Sequence, residues 1–122
     1  MVTADEVLAA VDAHLAAFNA RDLEAIAAGL ADDAVFSAGG QLTIGRRAIA
    51  ALFADSFAAP VEATLERRRT VVEGDTAAVE LVERLRLASD EGGVEHELEV
   101  AAFFTVRRGQ LVRVRVYRET PP

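Results

Sequence analysis

Cysteine is missing altogether from the 122 residues, which removes disulfide frameworks, thiolate zinc sites and cysteine nucleophiles together. A chain of this length buries roughly two-thirds of its unfolded surface and can fold without such cross-links. No apolar run is long enough to span a bilayer. The N-terminus carries Asp5, Glu6 and Asp12 where a secretory signal needs basic residues and an apolar core, so no signal is read there. Basic charge is short as well: 13 Lys and Arg against 20 Asp and Glu leave a net charge of −7. The arginines alternate with glutamates rather than forming a stripe, and such a surface is repelled by phosphate backbones. Neither nucleic acid nor a membrane is expected as a partner, and a cytoplasmic location is expected. Gly-rich phosphate loops, a nucleophile elbow, Ser/His/Asp arrays, repeats and linkers are also lacking. Residues 1–122 therefore read as one domain, with no cofactor expected.

What is present divides at Pro60. Before it the period is helical. Val7, Leu8, Val11, Leu15 and Phe18 share one face of a helix predicted over Thr3 to Asn19, opened by a Thr3/Glu6 capping box. Asp22 is placed to cap a second helix running to about Leu30. Ala31-Asp32-Asp33 ends that helix, Ala34 to Ser37 reads as a brief strand, and Gly39-Gly40 as a loop. A third helix over Arg46 to Phe57 buries Ile49, Leu52, Phe53 and Phe57, and Pro60 stops it.

After Pro60 the period becomes two, giving strands at Val61 to Val72, Thr76 to Leu87, Val94 to Arg107 and Leu111 to Arg118. Three-residue turns at Glu73-Gly74-Asp75 and Arg107-Arg108-Gly109 join the outer pairs. Those registers put Val61, Ala63, Leu65, Val71, Val79, Leu81, Leu85, Leu87, Leu98, Val100, Ala102, Phe104, Val106, Val112, Val114 and Val116 on one face. On the other, Arg68 falls near Glu80, Glu62 near Arg86, and Glu97 and Glu99 beside Arg86 and Arg84, a check on register because a one-residue slip would bury the charges. Helices followed by a run of strands is the α+β pattern.

Phe18-Asn19-Ala20-Arg21-Asp22-Leu23-Glu24-Ala25-Ile26, followed by Ala31-Asp32-Asp33-Ala34-Val35, resembles the opening of nuclear transport factor 2-like proteins. Within them it is similar to SnoaL-like polyketide cyclases and ketosteroid isomerase. Gly45, Ala48-Ile49, Phe53-Ala54, Ser56, Pro60 and Gly109-Gln110-Leu111-Val112 follow the same pattern. The resemblance implies an α+β fold in which a cone-shaped, curved antiparallel sheet carries three N-terminal helices across its concave face. It also implies a pocket in the cone and a homodimer through the convex face, where Val82, Ala101, Phe103 and Tyr117 fall. The isomerase uses a tyrosine, a carboxylate base and a protonated aspartic acid. Those positions fall at His14, Ala38 and Ala102, so isomerisation by that mechanism is not supported.

Two ionisable groups remain on the concave side. His14 flanks the buried helical face and suits acid or base work near neutral pH, or else it is an ordinary buried histidine. Glu83 interrupts Val79, Leu81, Leu85 and Leu87, and is expected near Val100 and diagonal to Ala102. It reads either as an acid of raised pKa or as an ion pair with inward-facing Arg67, with Arg69 beside it. A small hydrophobic ligand is expected against Phe18, Phe36, Ala38, Phe53, Phe57, Leu81, Val100, Ala102, Phe104, Val114, Val116 and Arg118, although the same phenylalanines could simply fill the core. The function classes left open are a small-molecule-binding protein, working where it catalyses by proton transfer as an isomerase, cyclase or hydrolase, and a non-catalytic dimerisation module. Two histidines, His14 and His96, do not make a metal site.

Overall fold

Thr3 opens the first helix by accepting a hydrogen bond from the Glu6 N–H at 3.2 Å, as its place before the apolar face predicts. A computed structural model describes residues 2–87 and 95–119. Helix α1 spans Ala4–Asn19 and α2 spans Leu23–Ala28, the latter capped by Asp22 Oδ1 on the Ala25 N–H at 3.0 Å. Strands β1 (Leu30–Ala38) and β2 (Gln41–Ile44) precede α3 (Arg46–Ala58). Four long strands follow: β3 (Val61–Glu73), β4 (Thr76–Leu87), β5 (Glu95–Arg107) and β6 (Gln110–Arg118). The predicted start of the third long strand at Val94 lies outside the described residues.

The six strands form one curved, unclosed sheet in the order β2-β1-β6-β5-β4-β3. Every neighbouring pair is antiparallel except β1 and β6, which run parallel. That parallel pairing corrects the reading of residues 30–44. Leu30, expected to close the second helix, begins β1, and Asp32-Asp33 lie in the strand instead of ending a helix. The ladder partner that extends the strand is β6, with Leu30 opposite Leu111 and Val35 opposite Arg113; no local pattern reveals a partner so far along the chain. Gly39 and Gly40 take φ of 57° and 78° and close a two-residue hairpin onto β2, which was expected to be loop.

Both long turns are also two residues, not three: Glu73 faces Thr76, and Arg107 faces Gln110. The difference is absorbed by bulges. Between Arg67 and Arg69 the β3–β4 register shifts, leaving Arg68 as the extra residue, and a second shift separates Thr105 from Val106 opposite β6. A bulge exchanges the faces beyond it. Val71, expected inside, is therefore 54% exposed, while Val72 packs on the core opposite fully buried Ala77. Arg69 sits opposite Glu80, the place expected for Arg68. On β6, Val114 is buried as expected, but beyond the shift Leu111 is buried in place of Val112. Below the first bulge Glu62 faces Arg86, as anticipated. Glu66 binds Arg84 at 2.8 Å and Arg68 at 3.1 Å, and the hydrogen bond from Arg84, then the charge of Arg68, hold its carboxyl below the usual carboxylate range.

The core lies between the concave face and the helices. Val7, Val11, Leu15 and Phe18 of α1 meet Val79, Leu81, Val100, Ala102, Phe104 and Val114, with Ile26 and Ile49 closing the other side. Two side chains tie helices to strands. Asn19 donates from Nδ2 to the Leu65 carbonyl and accepts from the Leu65 N–H, both at 2.8 Å, so the end of α1 copies a strand partner for the middle of β3. Arg46 donates to the Leu30 carbonyl from Nε at 3.0 Å and Nη2 at 2.7 Å, and pairs with Asp32 at 2.7 Å. Losing both bonds in Asn19→Ala should cost about 1–2 kcal/mol. A urea titration should show a lower midpoint with an unchanged slope; a midpoint equal to wild type would mean that water replaces both bonds.

Candidate functional site

Helices α1 and α3, the β1–β2 hairpin and the end of β6 leave a gap at the β1–β2 end of the sheet. An open cavity of about 840 Å³ lies there, bordered by Phe18 of α1, Leu52, Phe53 and Ser56 of α3, Phe36 to Thr43 of the β1–β2 hairpin, and Val116 to Glu119 of β6 and the residue after it. Phe18, Phe36, Leu52 and Phe53 give it one apolar wall, and Ser37, Gln41, Thr43, Ser56, Arg118 and Glu119 bring polar groups to its border. Phe53 is the hub of that wall, with ring centroids 6.0 Å from Phe18, 5.5 Å from Phe36 and 6.3 Å from Phe57.

Of the ligand-contacting residues expected from sequence, Phe18, Phe36, Ala38, Phe53, Val116 and Arg118 border this cavity. Leu81, Val100, Ala102, Phe104 and Val114 do not: each is at least 95% buried in the core that α1 shares with the sheet. Phe57 is half-buried against the core beside Phe18. The hairpin residues Ser37 and Gly39 to Thr43, with Leu52, Ser56, Tyr117 and Glu119, were not anticipated. The Gly-Gly pair was the available signal for a hairpin at this rim.

Glu83 is buried, and its register corrects the expected one by two residues: it faces Leu98 on β5 and Leu65 on β3, with Ala102 four residues farther along, opposite Val79. Its partner is also different. Arg118 Nη2 donates to Glu83 Oε2 at 3.2 Å, reaching across β5 from the last residue of β6. The Glu83 side chain is 4% exposed and that of Arg118 56%, so the pair runs from the interior to the cavity rim. Arg67, expected to pair with Glu83, binds Asp12 of α1 instead, at 2.9 Å from Nε and 3.2 Å from Nη2, and donates to Thr70 Oγ1 at 3.1 Å. The helix lying over β3 supplies a nearer carboxylate, so the expected trio of His14, Glu83 and Arg67 is not assembled by shared bonds.

His14 is buried on α1 with its ring edge-on to Phe53 at 5.6 Å and Phe104 at 5.8 Å. Among the described residues neither ring nitrogen has a hydrogen-bond partner. Burial among aromatic rings disfavours the charged imidazolium and lowers the pKa from 6.5 to about 4. At neutral pH the ring is uncharged. It touches Phe53, which borders the cavity, without bordering it itself. His96 is exposed on β5, opposite Leu85 and distant in register from the cavity. Among the described residues no three His, Cys, Asp or Glu side chains converge as metal ligands, and no helix is long and apolar enough to cross a membrane.

A family model described as a SnoaL-like domain matches residues 11–114. No curated protein matches the chain. Among solved structures, an LEH-like epoxide hydrolase of Mycobacterium tuberculosis superposes with a TM-score of 0.81 at 25% identity, over 94% of this chain and 84% of that one. A protein of Xanthomonas campestris assigned as a polyketide cyclase gives 0.77 at 29% identity, over 94% and 91%. A protein of Catenulispora acidiphila with a ketosteroid isomerase-like fold, in complex with trimethylamine, gives 0.78 at 20% identity over 88% and 83%, a likeness of fold alone.

The histidine gives a pH dependence with a definite sign. Its folded pKa lies below the unfolded value, so its neutral form stabilises the fold fully above pH 6.5 and that contribution is lost as pH falls from 6.5 towards about 4. The loss approaches about 3 kcal/mol at the acid end. His14→Leu should therefore flatten the stability profile relative to wild type between pH 6.5 and 4, measured by urea unfolding at several pH values. Parallel profiles for the two proteins would refute a buried neutral imidazole.

Proposed function

The chain belongs to the SnoaL-like domain family, and from that premise we propose that it binds a compact, ring-bearing small molecule in the cavity at the β1–β2 end of the sheet. The observation that carries the reading is the pairing of a phenylalanine-walled opening with one anchored guanidinium: Arg118 borders the cavity and is held by buried Glu83. Aromatic walls supply affinity by removing apolar ligand surface from water, and the polar group orients what enters. The M. tuberculosis epoxide hydrolase and the X. campestris protein assigned as a polyketide cyclase support a ligand of this size and character. Proton transfer of the isomerase, cyclase or hydrolase kind is the chemistry that His14 and Glu83 are suited to supply. The geometry favours binding over that chemistry, since Glu83 is engaged with Arg118 and His14 stands outside the cavity lining.

A second role, self-association through the convex face, is favoured by a separate observation. Residues Leu42, Ser37, Arg115, Phe103, Ala78 and Val71 are consecutive ladder partners, forming one outward row across all six strands. Leu42 and Val71 at its ends, together with Ile44 and Tyr117 on the same face, are the large hydrophobics most exposed among the described residues. Phe103 packs edge-on to Tyr117 at 5.9 Å with the Arg115 guanidinium over its ring. A patch of this continuity suits a second copy of the chain.

Binding is tested with N-phenyl-1-naphthylamine, a neutral dye that brightens in apolar cavities. Ser56→Trp, an exposed α3 position on the cavity wall, should weaken its binding by about tenfold or more, equivalent to about 1.4 kcal/mol. Equal affinity in both proteins removes the cavity as the site. For the convex face, sedimentation should give twice the mass of the chain for wild type and the mass of one chain for a Phe103→Glu, Tyr117→Glu double variant. A wild-type protein that sediments as a single chain excludes that interface.

A further inference from the structure

We propose that the Glu83–Arg118 pair makes the cavity selective for a neutral acceptor oxygen, such as a ketone or lactone carbonyl, and against carboxylates and other anions; this rests on the cavity binding small molecules. Among the described residues bordering the cavity, Arg118 is the one basic side chain. A guanidinium carries five N–H donors. One is used, from Nη2 to Glu83 Oε2 at 3.2 Å, and among the described residues the other nitrogens have no partner.

The charge of Arg118 is a different matter from its donors. Glu83 lies at its inner end with a 4% exposed side chain, in a setting where charges are poorly screened, and Glu119 borders the cavity beside it. The guanidinium therefore presents directional donors with its positive charge already offset. An entering carbonyl gains a hydrogen bond. An anion gains the same bond but meets two carboxylates, so the discrimination is built from repulsion as much as attraction. Glu83 is well placed for this, because a mid-strand position between Leu65 and Leu98 fixes it in the sheet. Arg118 is thus the specificity-determining residue, and Glu83 the residue that positions it and cancels its charge.

Three naphthyl dyes separate the possibilities: 6-propionyl-2-dimethylaminonaphthalene, a neutral ketone; N-phenyl-1-naphthylamine, which lacks a carbonyl; and 1-anilinonaphthalene-8-sulfonate, its anionic counterpart. Only signal abolished by Ser56→Trp is counted, which removes binding elsewhere on the surface. Wild type should bind the ketone about fivefold tighter than either other dye, the worth of one net hydrogen bond. Arg118→Met should bring the ketone to within about twofold of the arylamine. Glu83→Gln, which keeps a side-chain acceptor for Arg118 and frees its charge, should strengthen sulfonate binding about fivefold while the ketone changes little. That gain is an outcome a merely structural glutamate would not give. Tightest binding of the sulfonate by wild type overturns the proposal, as does Glu83→Gln that folds and leaves the sulfonate unimproved. Should Glu83→Gln fail to fold, the ketone-to-arylamine ratio in wild type and Arg118→Met decides alone. If none of the three dyes gives a signal sensitive to Ser56→Trp, the cavity reading itself fails, and the selectivity with it.

Discussion

A strand has two faces, and a helix laid over a sheet can shield only one of them. Every inserted residue in a ladder therefore exchanges inside for outside, and the fold depends on that phase being kept. Here it is kept by compensation. The two-residue turns at Gly74-Asp75 and Arg108-Gly109 start the hairpins one step from the phase that the inner halves of the strands need. The bulge at Arg68 and the shift opposite Thr105–Val106 restore it. The result is a continuous apolar bed for α1, from Ala77 and Val79 through Phe104 to Val114.

The architecture was legible because periodicity is a local property. A change from 3.6 to 2 at Pro60, with arginines and glutamates alternating against leucines and valines, fixed which half is helical and which is sheet. Compensating errors were harder to see. A three-residue turn without a bulge predicts the same partner for Glu62 as a two-residue turn with one, so Arg86 came out right while Val71 and Arg69 came out on the wrong face. The β1–β6 pairing and the β2 strand depend on contacts between distant segments, for which a single sequence carries little signal.

The polar groups show the same division. That Glu83 breaks an apolar row was plain from the alternation, and it is buried. Which cation answers it was not, since Arg67 and Arg118 both end on the inward side. The choice was made by α1, whose Asp12 captures Arg67 and leaves Arg118 to cross β5. His14 has no such partner among the described residues, and a neutral ring among phenylalanines is the state that burial permits. The helix that builds the core thus also decides where charge is allowed near the cavity. It covers the concave side from β3 to β6, and an open cavity lies at the β1–β2 end, next to Val116, the ladder partner of Ala102.

The thirteen residues of β3 form an outer margin of the sheet, where Asn19 occupies the backbone of Leu65, and the uncovered stretches of such a margin invite pairing with strands of other molecules. Arg67, Arg68 and Arg69 fall at its middle, and the bulge at Arg68 kinks it there. Kinks and clustered cations at an edge discourage runaway strand addition. The irregularity that sets the inward phase of the sheet therefore also works against fibril-like strand addition along this edge.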